Sequence, residues 1–446
     1  MLFACLFQAR VQSAAVFPLA TSGALVEAGV NAAFDGTNFL VGYVASSNIA
    51  AQLVSPAGEL IGPAITNIGT TMGFPKVAFA GNKYLMVWYD DYASSGANKF
   101  GQIIDPGGEK IGTAFPLSGQ SSGGLRGLAS GGTNFLVLLE GSGNSYYGQL
   151  VTQQGALADS SAPINASPYG TEQAAVAFDG TNYLVTWNQQ GATVNSNIVG
   201  QFLDGEAGLA GSNFVINSSA YASDSYMALL FDGTRYFVAF GENNVNGQGT
   251  NTWGVFGRFV APSGNVLGGQ ITIATNDSAQ RYPSLAFDGS SYLVSWTGAF
   301  GTTNASVEFQ FFGSAGQPVG PPFTVFQAQG TNSPSLAASL FDGREYLAVA
   351  TIGNPTQRNF GGSILGAFIP SSAAPPSLAA AGVPAGGQFS LQLTGTPGIN
   401  YVVQAATNLL SGPWAALVTN STANGTFGFT DTAATNNSRF YRAVTK

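Results

Sequence analysis

One phrase returns seven times along the chain: a short apolar run, a tight turn most often spelt Phe-Asp-Gly, and a second apolar run led by an aromatic residue. The turns lie at Phe34-Asp35-Gly36, Phe79-Ala80-Gly81, Ser130-Gly131-Gly132, Phe178-Asp179-Gly180, Phe231-Asp232-Gly233, Phe287-Asp288-Gly289 and Phe341-Asp342-Gly343. Between the middle residues of successive turns the spacings are 45, 51, 48, 53, 56 and 54 residues. A period near 50 marks a repeat architecture, because one unit of that size cannot bury its apolar face alone and must stack on its neighbours.

The sixth repeat shows the grammar of a unit. Residues 283–287 form a short apolar run, and Asp288-Gly289 supplies a hairpin turn that tolerates positive φ. Runs at 292–296, 307–312 and, after a Gly/Pro-rich turn, 323–326 complete four strands of β-branched and aromatic residues. The second strand is apolar on both faces in every repeat, as suits a strand sandwiched between neighbouring sheets. The third carries a small residue followed by Gln at Ala51-Gln52, Gly101-Gln102, Gly148-Gln149 and Gly200-Gln201. The Gly is read as a close backbone approach, and the Gln as a partner for backbone groups between repeats.

Four strands per unit, repeated radially, is the plan of a β-propeller. Over residues 11–370 the sequence resembles propellers with an aromatic-Asp-Gly turn between the first and second strands of each blade. The seventh repeat stops after three strands, at Pro370, and Ala15-Val-Phe-Pro-Leu19 matches the fourth strand of a middle repeat, Thr113-Ala-Phe-Pro-Leu117. The expected fold is therefore all-β: a seven-bladed β-propeller spanning 15–370, closed by an N-terminal strand, plus a small C-terminal β-sandwich-like domain. A linker at 371–377 precedes that module at 378–446, which holds about five short strands. It resembles C-terminal modules of secreted proteins from Verrucomicrobia and related bacteria, through Tyr401-x-Val403-Gln404-Ala405-x-Thr407-Asn408-Leu409, then Trp414, Phe429-x-Asp431 and Phe440-Tyr441-Arg442. That resemblance implies export, surface attachment or glycan adhesion. Residues 1–14 read as a remnant export signal, a short apolar stretch followed by small residues.

Composition limits the chemistry. Charged residues are only 8% of the chain, the net charge is −8, and the 14 basic residues are spread singly, which argues against nucleic acid. There is no histidine, the commonest general base and transition-metal ligand, and one cysteine, Cys5, allows no disulfide framework. No cofactor or metal is expected, and no apolar run is long enough for a transmembrane segment. The stretch at 179–187 resembles the Asp-box of sialidases, where that motif is structural. A sialidase would also need three converging arginines.

The Asp of the repeated turn is read as a cap for its own backbone. Function is expected where the repeats disagree, on the rim formed by the second-to-third and fourth-to-first connections. Candidate ligand-binding residues there are Asp90, Asp91, Tyr92, Tyr169, Glu172, Asp224, Tyr226, Glu242, Asp277, Arg281, Tyr282 and Arg358. Aromatic rings with carboxylates and amides suit a sugar. The expectation is a secreted or cell-surface bacterial binding or adhesion protein whose partner is an extracellular glycan, another surface polymer or a protein. Two alternatives stand beside it. One is a carboxylate-based glycoside hydrolase or lyase, with Asp90 meeting Glu140 or Glu172. The other is a self-assembling structural subunit.

Overall fold

The computed structural model describes residues 15–20, 30–45, 48–70, 75–90, 99–117, 124–141, 145–160, 163–164, 174–190, 196–218, 226–242, 253–275, 280–299, 302, 304–328, 332–353, 362–371, 377–381, 388–394, 400–407, 414–421, 426–432 and 439–445. Among them are strands and no helix. Seven four-stranded antiparallel sheets account for the described residues from Val16 to Pro370 that lie in strands. Their first strands are Val30–Phe34, Lys76–Ala80, Leu125–Ser130, Ala174–Phe178, Met227–Phe231, Arg281–Phe287 and Ser333–Phe341, and the sheets are numbered first to seventh in that order. Each of these strands touches the first strand of the next sheet, and the seventh touches the first, so the sheets close a ring around their innermost strands. This is a β-propeller.

Each of the seven interfaces has its own apolar core. The core between the first and second sheets, for example, joins Leu40, Ile49 and Leu53 to Tyr84, Met86 and Trp88, and the one between the seventh and first joins Leu347 and Val349 to Phe39 and Val41. Second strands such as Phe39–Ala45 and Tyr236–Glu242 are buried almost end to end, which explains why they are apolar on both faces. Trp88, Trp187 and Trp296, near the ends of such strands, are fully buried core.

The seventh sheet is completed from the other end of the chain. Val16–Ala20 pairs antiparallel with Gly362–Pro370, setting Phe17 opposite Gly366. A Cβ at Gly366 would lie 2.7 Å from the Phe17 ring, just as one at Gly101 would lie 2.7 Å from Phe115. At Gly101, Gly200 and Gly366 the small residue of the third strand thus makes room for an aromatic ring from the fourth strand, while Gly148 faces Leu136 and Leu203. The Gln column also differs from expectation. Gln52 Nε2 donates to Leu53 O and Ile61 O at 3.0 and 3.1 Å, and Gln102 Nε2 to Ile103 O and Ile111 O at 2.9 and 3.0 Å. These carbonyls belong to the same sheet. They are freed where the third and fourth strands slip register around a glycine of positive φ, Gly62 or Gly112. Arg258, in place of Gln, donates to Gly268 O at 2.9 Å. The Gly/Pro-rich stretch read as a turn before 323–326 is for the same reason part of one bulged strand, Pro318–Gln327.

The repeated Asp caps its turn: Asp35 Oδ1 accepts from Thr37 N and Asn38 N at 2.7 and 2.6 Å, and Asp179, Asp232, Asp288 and Asp342 repeat the pattern. The following glycines sit at φ from 91° to 97°, a region closed to most side chains. The turns also bind across the interface. Tyr292, near the start of its second strand, donates its hydroxyl to Asp232 of the preceding sheet, while Tyr84, Tyr236 and Tyr346 at the same place donate to the turn carbonyls Asn38 O, Asn182 O and Ser291 O at 3.0, 3.2 and 3.2 Å, beside Asp35, Asp179 and Asp288. Burial first, and then the neighbouring carboxylate, pushes these phenols upward.

Beyond the ring, Ser377–Ala380, Phe389–Thr394 and Thr426–Asp431 form one three-stranded sheet, and Asn400–Ala406, Ala415–Ser421 and Phe440–Thr445 form another. Leu391 and Leu393 of the first share a core with Tyr401 and Val403 of the second. There is one more strand than the sequence pattern marked, because Ser377–Ala380 follows directly on the Pro-rich stretch. The motif residues are structural. Asp431 accepts from Arg439 Nε at 2.6 Å and Tyr441 OH at 3.0 Å, while Arg442 donates to Gln404 Oε1 at 2.8 Å and lies 4.3 Å over the Trp414 ring.

Candidate binding face and axial cavity

A four-stranded meander puts its first-to-second and third-to-fourth turns at one end and its other connections at the opposite end. The Asp turns therefore occupy one face of the disc, and the described candidate residues the other. Asp91, Tyr92, Tyr169, Glu172, Asp224, Asp277 and Arg358 lie outside the described residues. Five candidates are described, and three of them come together.

Tyr226 immediately precedes the first strand of the fifth sheet, and Tyr282 lies in the first strand of the sixth. Their rings meet with centroids 3.9 Å apart and tilted by 40°, and Tyr282 OH donates to Tyr226 OH at 3.2 Å. Tyr282 has φ of 58°, a left-handed conformation costly for an aromatic residue, at the register shift between Arg281 and Ser284. Beside it the Arg281 guanidinium lies 4.4 Å over the ring of buried Trp253. Both tyrosines are partly exposed.

The remaining two candidates are buried rather than presented to solvent. Asp90 and Glu242 are each 7% exposed, on the second and fifth sheets, which are not neighbours in the ring. Glu242 Oε1 accepts from Asn217 Nδ2 at 2.9 Å, and Asn217 Oδ1 accepts from Arg258 Nε at 3.2 Å, so Glu242 belongs to a network joining the fourth and fifth sheets. Glu140, a partner considered for Asp90 in hydrolysis, is committed elsewhere. Its Oε2 accepts from Arg126 Nε at 2.9 Å and Gly124 N at 3.1 Å.

Along the ring axis lies a cavity of about 300 Å³ lined by the first strands of all seven sheets. The inward edges of these strands carry unpaired backbone groups. Two are met by side chains: Asn31 Oδ1 accepts from Val77 N at 2.9 Å, and Ser284 Oγ from Ser339 N at 3.1 Å. The third polar residue at the equivalent place, three before the Phe of the turn, is Lys76. Burial, reinforced by Arg126, lowers its pKa to about 8. Among the described residues no carboxylate pairs with it.

Trp253, Asn217, Lys76 and Arg126 were not singled out from the sequence. For Lys76 a signal exists, since most repeats place Ala or Gly where it stands (Gly127, Ala175, Ala228, Ala338). Among the described residues no group of three or more His, Cys, Asp or Glu could hold a metal, and no helix could cross a membrane, which says nothing of a β-barrel.

No family model and no curated protein matches the chain. Solved structures that resemble it include AofleA from Arthrobotrys oligospora, at 11% identity and a TM-score of 0.45 over 71% of this chain and 90% of that one. Another is a neuraminidase-like protein of A/flat-faced bat/Peru, at 12% identity and 0.44 over 67% and 87%. A third is a thermostable family-43 glycoside hydrolase, at 10% and 0.35 over 55% and 88%. At such distances function has to be argued from the residues of this chain.

Proposed function

We propose that the protein is a binding protein of the bacterial exterior, secreted or displayed on the cell surface, that recognises a glycan or related surface polymer on the long-connection face of its ring. The observation that carries this reading is the Tyr226–Tyr282 pair, two partly exposed rings held at the inner rim by a strained backbone beside the Trp253–Arg281 stack. Strain of this kind persists where surrounding structure imposes it, and it clusters at ligand-binding positions. Apolar ring faces with phenol hydroxyls match the C–H faces and hydroxyl groups of a sugar. The resemblance of the C-terminal module to those of exported proteins supports the location. The test is a glycan array with the full chain, followed by Tyr226→Ala and Tyr282→Ala. The expected result is a restricted set of bound glycans, with affinity lost at least tenfold in either variant. An array without specific binding, or binding indifferent to both substitutions, overturns it.

A second reading, self-assembly, has one observation behind it. Large exposed apolar residues fall on the outermost strands: Leu60, Ile61, Ile111, Leu157, Leu209, Val215, Val319 and Val16 are 36–50% exposed. Outer strands are sheet edges, open to pairing with another chain. Concentration-dependent sedimentation of purified protein without ligand separates this reading from the first.

A further inference from the structure

The axial cavity carries a charge that no carboxylate among the described residues pairs with. Lys76 and Arg126, on the first strands of the second and third sheets, are close enough for the guanidinium to depress the amine. Among the described residues the carboxylate that meets Arg126, Glu140, is taken by it and also acts on buried Lys99. That leaves the Lys76 ammonium without a carboxylate partner among the described residues, in a chain whose net charge is −8. An ammonium enclosed without a counter-ion is costly, and an anion in the cavity relieves that cost.

We infer that the axial cavity is a binding site for the carboxylate of an acidic sugar residue, with Lys76 as its ion-pairing group and Arg126 as a second cation behind it. The inference rests on the reading of the surrounding face as a glycan-binding surface, and it names the sugar class. Three features fit. The volume of about 300 Å³ lies at the lower end of ordinary small-molecule sites, roughly 300–1,000 Å³. Asn31 and Ser284 provide polar lining for hydroxyl groups. Tyr226 and Tyr282, whose rings pack on each other, immediately precede the cavity-lining residues Met227 and Pro283 on the long-connection side.

The experiment is calorimetric titration of the full chain with glucuronate, glucose and sodium sulfate. Wild-type protein is expected to bind glucuronate at least tenfold more tightly than glucose. Lys76→Gln should remove that preference, and Lys76→Arg should retain it. A second measurement avoids dependence on a folded variant: glucuronate should protect Lys76 of the wild-type chain from acetylation, read by peptide mass, while glucose should not. Equal binding of the two sugars, no change in Lys76→Gln, or no protection of Lys76 overturns the proposal. Sulfate binding without glucuronate binding also overturns it, reducing the site to one for a small inorganic ion. A chain that binds a neutral glycan on the array but fails these tests loses this inference and keeps the broader reading.

Discussion

Adding one hydroxyl at Phe39 should strengthen the ring where the two ends of the propeller chain meet. Four interfaces join an Asp turn to a tyrosine of the next sheet, but at the seventh-to-first interface the tyrosine position holds Phe39. Asp342 there has its Oδ1 engaged by Arg344 N and Glu345 N, both at 2.8 Å, while its buried Oδ2 has no hydrogen-bond partner among the described residues. A hydrogen bond to a charged group contributes about 1.5–3 kcal/mol net, and a buried acceptor left unmade already costs about 1–3 kcal/mol. Against this stands overpacking, also about 1–3 kcal/mol where there is no space. Geometry decides for the bond. Phe39 pairs with Phe34 at a centroid distance of 4.6 Å, matching the 4.6 Å of Phe287–Tyr292, where the hydroxyl donates to Asp232 of the preceding sheet. Phe39→Tyr is therefore expected to stabilise by about 1–2 kcal/mol. The assay is urea unfolding of wild type, Phe39→Tyr, Asp342→Ser and the double variant. Serine can still cap the turn but lacks the second oxygen. In that cycle the coupling should be about 1–2 kcal/mol. A destabilising Phe39→Tyr, or a gain that persists when Asp342 has been replaced by serine, would refute the reasoning.

Two other outcomes follow from the same interfaces. Tyr84, Tyr236, Tyr292 and Tyr346 are held neutral, and Tyr183 is pushed up to about 12 by burial and then by Glu206. Their raised values mean that stability is full below about pH 10 and falls above it, as unfolded tyrosines ionise and folded ones do not, by about 1.4 kcal/mol per pH unit for each. Tyr292→Phe should make that alkaline loss shallower in pH-dependent urea midpoints; an unchanged slope counts against the strut. Gly366→Ala places a methyl within 2.7 Å of Phe17 and should cost about 1–3 kcal/mol, read as faster hydrogen exchange at residues 16–20. Exchange unchanged there would mean that Phe17 does not lock the closing strand.

What could be read in the sequence is what each repeat decides alone. The turn Asp, its glycine and the buried second strand are local, and repetition made them conspicuous. The pairing of Val16–Ala20 with the last repeat was also legible, because Phe17 copies Phe115 and Pro18 copies Pro116. Contacts between repeats were not legible as single residues. The Gln column was read as bridging repeats, yet it fills a bulge within one sheet, since a register shift leaves no mark in composition. Basic residues that look scattered along the chain become neighbours once the ring closes, as Lys76 and Arg126 do across 50 positions.

The interface pairs also show how the repeats have diverged without losing the ring. Where the second turn has Ala80 in place of Asp, the next sheet offers Phe135, so neither partner of the strut is present and nothing polar is stranded. Where the third turn has Gly131, the next sheet keeps a tyrosine, and a Cβ on Gly131 would fall 1.7 Å from the Tyr183 hydroxyl. There the phenol occupies the space that an Asp side chain would need, and only glycine fits opposite it. Both departures are therefore matched across the interface. The Asp342–Phe39 seam is the mismatched case, with a buried oxygen waiting for a hydroxyl. It falls where the two ends of the propeller chain meet. This is why the seam, rather than an interior interface, is where a single added oxygen has an effect large enough to measure.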